Sequence, residues 1–166
     1  MSSDAMPPLG PPPFRFTPEN GLAQGAAFSQ PFKALTSLIV IGSAWWLIDL
    51  WLTGKFGATG MAGLRAAGWF ILGWGLLAWT GWEVLNSQVR LDAQGLHQSW
   101  IWQKRMAYDD LAYASLIRVR GLEWLLAPRF YVRTLVGKFA VFYVSDPALW
   151  QECERMAHEL KTFRQM

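Results

Sequence analysis

The chain has 166 residues, of which 52% are apolar and only 16% charged, and it carries a net charge of +3. That length suits one domain, or a small domain with a membrane anchor, and the charge is too modest to argue for a nucleic-acid partner. A single cysteine, Cys153, excludes an internal disulfide and any cysteine-built metal site.

Six of the nine prolines lie in the first twenty residues. Residues 1–30 contain no apolar run of the secretion-signal type. They read as an extended Pro/Gly-rich cytoplasmic tail. Phe14 and Phe16, on either side of Arg15, form an apolar pair suited to contact with a partner or with lipid.

Residues 31–85 are expected to form a transmembrane helical hairpin with spans at about 34–54 and 64–85. The first, ALTSLIVIGSAWWLIDLWLTG, holds one charge, Asp49; residues 66–82 hold none. About 20 apolar residues cross the hydrocarbon layer. Leu, Ile and Trp surround both segments, without the polar stripe of a helix on a soluble domain. Seven of the eleven tryptophans fall between Trp45 and Trp82. Trp51 and Trp69 are expected at one membrane interface, and Trp79 and Trp82 at the other. Gly42 and Ser43 on the first span, with Gly68 and Gly75 on the second, are the expected helix-packing positions, since small residues let backbones approach. Asp49 lies near the end of its helix. A structural role with Lys55 or Arg65 as partner is expected there, against the alternative of an intramembrane charge on an ion path.

The connector at residues 54–63 is short, so the spans are antiparallel and both chain ends fall on one side. The connector region holds only Lys55, with Arg65 at its edge, whereas eleven basic residues follow residue 86 against eight acidic ones. The positive-inside rule then places both termini in the cytoplasm.

Residues 86–166 change to strand patterning. QVRLDAQG and LHQSWIWQ alternate around a glycine turn; KRMAYDDLAYASLIRVRG holds two strands around Asp109-Asp110. RFYVRTLVGKFAVFYVSD is a hairpin with Gly137-Lys138 at its tip. PALWQECERMAHELKTFRQM is an amphipathic helix capped by Asp146, with Leu149, Trp150, Cys153, Met156, Ala157 and Leu160 on its apolar stripe. About seven short antiparallel strands and a closing helix make a small barrel or sandwich. Both faces of 139–144 are apolar, so one needs a cover beyond the core.

The pattern VRLDAQGLHQSW…MAYDDLAYASLIRV, ending in the helix that opens at SDPALW, resembles the bacterial pleckstrin-homology-like domains of the YcxB-like group, which follow two membrane spans. The resemblance covers residues 86–163 and implies a membrane-tethered binding module of the bacterial inner membrane. Related domains bind phosphoinositides through basic residues in the first hairpin loop. In this chain that loop is taken as 92–95, and it has no Lys or Arg. Lys104 and Arg105, in the next turn, and Arg118 and Arg120, on a strand, are the candidate contacts to lipid or to an acidic partner.

His97 and His158 are the only histidines and have no ligand-type spacing; Asp109-Asp110 reads as turn capping, not acid–base chemistry. No phosphate loop or nucleophile motif is present. No enzyme activity and no cofactor are expected. The expected function is a non-catalytic accessory or scaffold subunit of an inner-membrane complex, in contact with membrane lipids and integral membrane proteins. Homo-oligomeric transport through Asp49 and membrane-stress signalling are the alternatives.

Overall fold

The computed structural model describes residues 11–57, 59–122 and 124–165. Strand β1 (Ala23–Ala26) leads into helix α1 (Gln30–Leu52). A short helix α2 (Gly60–Ala66) and a long helix α3 (Gly68–Asn86) follow. Strands β2 (Gln88–Leu91), β3 (Gly95–Ser99), β4 (Lys104–Ala107), β5 (Leu111–Ile117), β6 (Arg129–Thr134) and β7 (Phe139–Tyr143) come next, and helix α4 (Pro147–Gln165) closes the chain.

The strands form two antiparallel sheets, β1-β2-β3-β4 and β5-β6-β7. Among the described residues they do not join into the closed barrel that was one of the expected forms. Two side chains bridge the sheets instead. Gln98 on β3 accepts from the Tyr143 amide of β7, and Lys104 on β4 donates to the Val141 carbonyl at 3.1 Å.

Alternation decides which way each strand faces. On β2, Val89 and Leu91 point inward while Gln88 and Arg90 face water; on β6, Phe130, Val132 and Thr134 are buried beneath Arg129, Tyr131 and Arg133. On β7 the core takes Phe142, and Phe139 on the opposite face is 69% exposed. The β6–β7 turn places Gly137 at φ 88°, the left-handed region where a Cβ is costly, and Thr134 closes it through Lys138.

Helix α4 starts as the sequence requires. Asp146 accepts from the Ala148 amide, and Pro147 occupies the first helical position, where its missing N–H costs nothing. Its buried stripe of Leu149, Cys153, Met156 and Leu160 packs on β5 and reaches β1. Each such side chain removed from water stabilises the fold by about 1.5–3 kcal/mol. Burial pushes the Cys153 thiol well above its ordinary pKa, with the nearby carboxylates of Glu152 and Glu154 adding to it.

The first thirty residues differ most from expectation. Residues 11–29 are part of the folded domain, not a free tail, and residues 1–10 lie outside the described residues. Phe14 and Phe16 are each only 3% exposed. Phe14 packs on Phe163 of α4, and Phe16 meets Tyr108 edge-on, 5.8 Å between centroids, beneath the Arg155 guanidinium. Arg155 also donates to the Thr17 carbonyl, and Arg164 to that of Pro12. The pair is therefore used up inside the molecule and is not displayed to a partner. β1 then pairs with β2 in the register Ala23↔Leu91 to Ala26↔Gln88. The domain thus begins before the helices, and the boundary expected at residue 86 is crossed by a strand pair. The turn at 92–95 is accordingly the second strand connection; the first is the helical segment itself.

That second turn is an electrostatic device. Burial alone would raise the Asp92 carboxyl. Hydrogen bonds from the Gln94 and Gly95 amides and the charges of His97 and Arg90 outweigh it and hold the pKa below the ordinary 3.8. A group whose pKa falls on folding adds stability above its unfolded value and loses it as pH drops through the folded one. Acid titration of the folded protein below about pH 4 should therefore show an unfolding slope that Asp92→Asn makes shallower.

Candidate membrane interface

Helices α1 and α3 pack as an antiparallel pair whose only route to the domain is very short. Three residues, Ala27 to Ser29, join β1 to α1, and Ser87 alone joins α3 to β2. Because β1 and β2 are neighbours in one sheet, the start of α1 and the end of α3 are pinned together. Ser29 caps α1, with its hydroxyl accepting from the Phe32 amide and donating to the Leu125 carbonyl at 2.6 Å. Lys33 donates to the Leu85 carbonyl at 2.8 Å, satisfying an orphan acceptor at the end of α3.

Helix α1 has no buried residue, and α3 has one, Gly81. Ile41 is 68% exposed, Trp45 77%, Trp69 83% and Leu76 56%. An apolar surface this continuous is unfavourable in water and marks a surface that meets lipid or protein. One helix, α1, is by itself long and apolar enough to cross a membrane; α2 and α3 qualify only as a single span bent by 66°. The expected second span over 64–85 is therefore not one straight helix: it breaks at Ala67, and α3 begins at Gly68.

The packing seam lies elsewhere than on the expected glycines. A Cβ at Gly42, Gly68 or Gly75 would meet nothing within 4 Å, and the Ser43 hydroxyl donates to Val40 on its own helix. The close approach is at Gly81, where a Cβ would stand 3.0 Å from Val40 Cγ2 and 3.4 Å from Thr36 Cγ2. The Trp74 indole donates to the Val40 carbonyl at 3.2 Å. Trp74, Ala78 and Gly81 thus form the contact stripe of α3, and Gly68 and Gly75 sit outside it. Gly81→Leu should open the pair and cost about 1–3 kcal/mol by overpacking, read as a lower thermal midpoint in detergent; Gly75→Leu should leave the midpoint unchanged.

Asp49 is exposed on α1 one turn from its end. Its backbone carbonyl accepts from Thr53, and among the described residues neither Lys55 nor Arg65 forms the expected ion pair with its carboxylate. At that tip, the Trp51 indole donates to the Gly60 carbonyl and Phe56 packs on Phe70.

The expected basic contacts divide. Lys104 is committed inside the domain: besides its bond to β7 it lies over the Trp100 and Tyr143 rings, and burial lowers its pKa. Lys104 and Arg105 open strand β4 and do not lie in the expected turn, and Arg105 is exposed there. The register places it in a row with His97 of β3 and Arg90 of β2. Sequence reading left that row out, because Arg90, His97 and Arg105 are brought side by side only by the pairing register across two turns. His97 Nε2 lies 3.5 Å from Asp92 without forming a hydrogen bond. Arg118 and Arg120 are not on a strand, because β5 ends at Ile117. Arg118 pairs with Glu154 and stacks over Trp150, whereas Arg120 is exposed in the following turn. Among the described residues no three His, Cys, Asp or Glu side chains gather into a metal site.

A second apolar surface lies on the outer face of β5-β6-β7. Tyr113, Tyr131 and Phe139 form a ladder with centroids 6.3 and 6.2 Å apart. Tyr113 is 54% and Phe139 69% exposed. Near the helix end of β7, Tyr143 is instead covered by Phe28, which also stacks on Phe32 of α1. No protein-family model matches the chain, and no curated protein or solved structure matches it either.

Proposed function

We propose that the protein is a non-catalytic interaction module anchored in the bacterial inner membrane, an accessory or scaffold subunit of a larger complex. The carrying observation is a pair of helices apolar on nearly every side, inserted between two paired strands of a folded domain. In this reading α1 and α3 both cross the bilayer, and both chain ends stay with the domain in the cytoplasm. The lengths support two spans: α1 extends about 34 Å and α3 about 28 Å at 1.5 Å per residue, against a hydrocarbon layer of about 30 Å. Lys33 and Arg129 at the domain side, against Lys55 and Arg65 at the far side, leave orientation to the larger basic count of the domain.

A pleckstrin-homology-like architecture for the domain belongs to the same proposal. Among the described residues, seven antiparallel strands in sheets of four and three, with helix α4 over the core, support it.

The partner surface in this reading is the Tyr113–Tyr131–Phe139 ladder, since aromatic side chains give large contact area at small entropic cost. Purification of the full chain in mild detergent, with mass by light scattering, tests it. A stoichiometric membrane-protein partner is expected, lost in Phe139→Lys while the variant stays in the membrane fraction. A wild-type protein that runs alone at its own mass would overturn the accessory-subunit reading.

A further inference from the structure

We infer that two loops beside the base of the helix pair, described at residues 100–103 and at 119–122 with 124–127, seat Trp102, Leu122 and Trp124 in the interfacial layer of the leaflet that α1 and α3 enter. This rests on the membrane-anchoring proposal and adds a second, peripheral contact to it.

The loops are held at the helix base by their inner sides. Ser29 at the start of α1 donates to Leu125 in the second loop, and Ser87, just after α3, donates to Ser99, the last residue of β3 before the first loop, at 2.5 Å. Trp100 meets Phe28 edge-on at 5.8 Å. Leu126 and Ala127 join Phe28, Phe32, Val84 and Trp100 around one small cavity of about 240 Å³. The loops are therefore fixed relative to the first turn of α1 and the last turn of α3.

Their outer sides carry large side chains with little over them: Trp102 is 70% exposed, Trp124 64% and Leu122 42%. Tryptophan, an apolar ring with one N–H donor, is the residue that settles at headgroup level. Arg120 in the second loop and Arg129, the first residue of β6 after it, are both exposed and supply charge for anionic headgroups. Since only Ser87 and the short Ala27–Ser29 segment join the helices to the sheet, the domain has no linker with which to swing away from the bilayer. A membrane that receives α1 and α3 is brought to these loops at the same time.

The test uses full-length protein in vesicles of phosphatidylcholine and phosphatidylglycerol, with single cysteines carrying an environment-sensitive fluorophore and with nitroxide-labelled lipids as quenchers. Cys153 is fully buried and stays unlabelled. The probe sites are Trp102→Cys, Leu122→Cys and Trp124→Cys. Ile41→Cys is the reference within α1. Val136→Cys, 80% exposed at the β6–β7 tip, is the aqueous reference. Quenching of the three loop sites by shallow nitroxides, at least twofold above Val136 and with blue-shifted emission, is expected. Loop sites that read like Val136 while Ile41 is quenched would overturn the inference and leave the anchoring intact. Blue-shifted loop sites that lipid nitroxides do not quench would show a protein cover, a second copy or a partner, and would equally overturn it. If Ile41 is unquenched as well, the anchoring proposal fails.

Discussion

Replacing Phe16 by alanine is expected to destabilise the folded domain by about 3–5 kcal/mol, the usual cost of emptying a buried phenylalanine site. Phe16 is 3% exposed among Tyr108, the Arg155 guanidinium and the α4 stripe. Its loss removes apolar contact and a cation–π interaction of about 0.5–1 kcal/mol. A typical domain has only about 5–15 kcal/mol in total, so this single change removes much of it. The urea midpoint should fall with little change in slope, and residues 17–22 should become sensitive to protease under native conditions. Arg15→Ala, one residue away and exposed, should leave both readings unchanged. A Phe16→Ala protein as stable as the wild type would mean that residues 11–22 do not dock on the domain.

Arginine at the centre of both long helices, Ile41→Arg with Leu76→Arg, is the second large effect. These positions are exposed and near mid-helix. In water, such surface substitutions change stability by at most about 0.5 kcal/mol. In the middle of a bilayer each arginine costs about 2.5–3.5 kcal/mol on insertion scales. The wild type should resist alkaline extraction and the double variant should lose most of that resistance, while Trp102→Arg at the domain side should keep it. Unchanged extraction of the double variant would mean that α1 and α3 do not meet lipid at these positions.

The sequence made the long helices and most strands legible for a local reason. The apolar run of 34–54, broken only by the charge of Asp49, and the absence of charge in 66–82 specify α1 and α3 by composition. Asp146-Pro147 specifies the start of α4, and its buried side chains follow from spacing alone. Gly137 between two alternating runs specifies the β6–β7 turn. The packing seam was not legible in the same way from the four expected positions Gly42, Ser43, Gly68 and Gly75. A glycine pattern marks a face that can approach a neighbour, but the rotation of α3 about its axis is set by the neighbour itself, through Trp74 on Val40 and Gly81 against Thr36 and Val40. The break at Ala67 has no proline to announce it.

Residues 23–26, Ala-Gln-Gly-Ala, show the divide most clearly. Alanine, glutamine and glycine have weak strand preference, and the partner of this strand lies beyond both long helices, at 88–91. Phe14 and Phe16 were visible as apolar side chains, but their receiving site is built from Tyr108, Arg155 and Phe163, far along the chain. Burial periodicity and end-capping, which act between residues a few places apart, were determined by the sequence by itself: apolar helices first, then alternating strands, then an amphipathic helix. Which strand completes the sheet, which helix face meets its neighbour and which aromatic pair enters the core were decided only by the tertiary structure, because those contacts depend on long-range packing that no local pattern encodes.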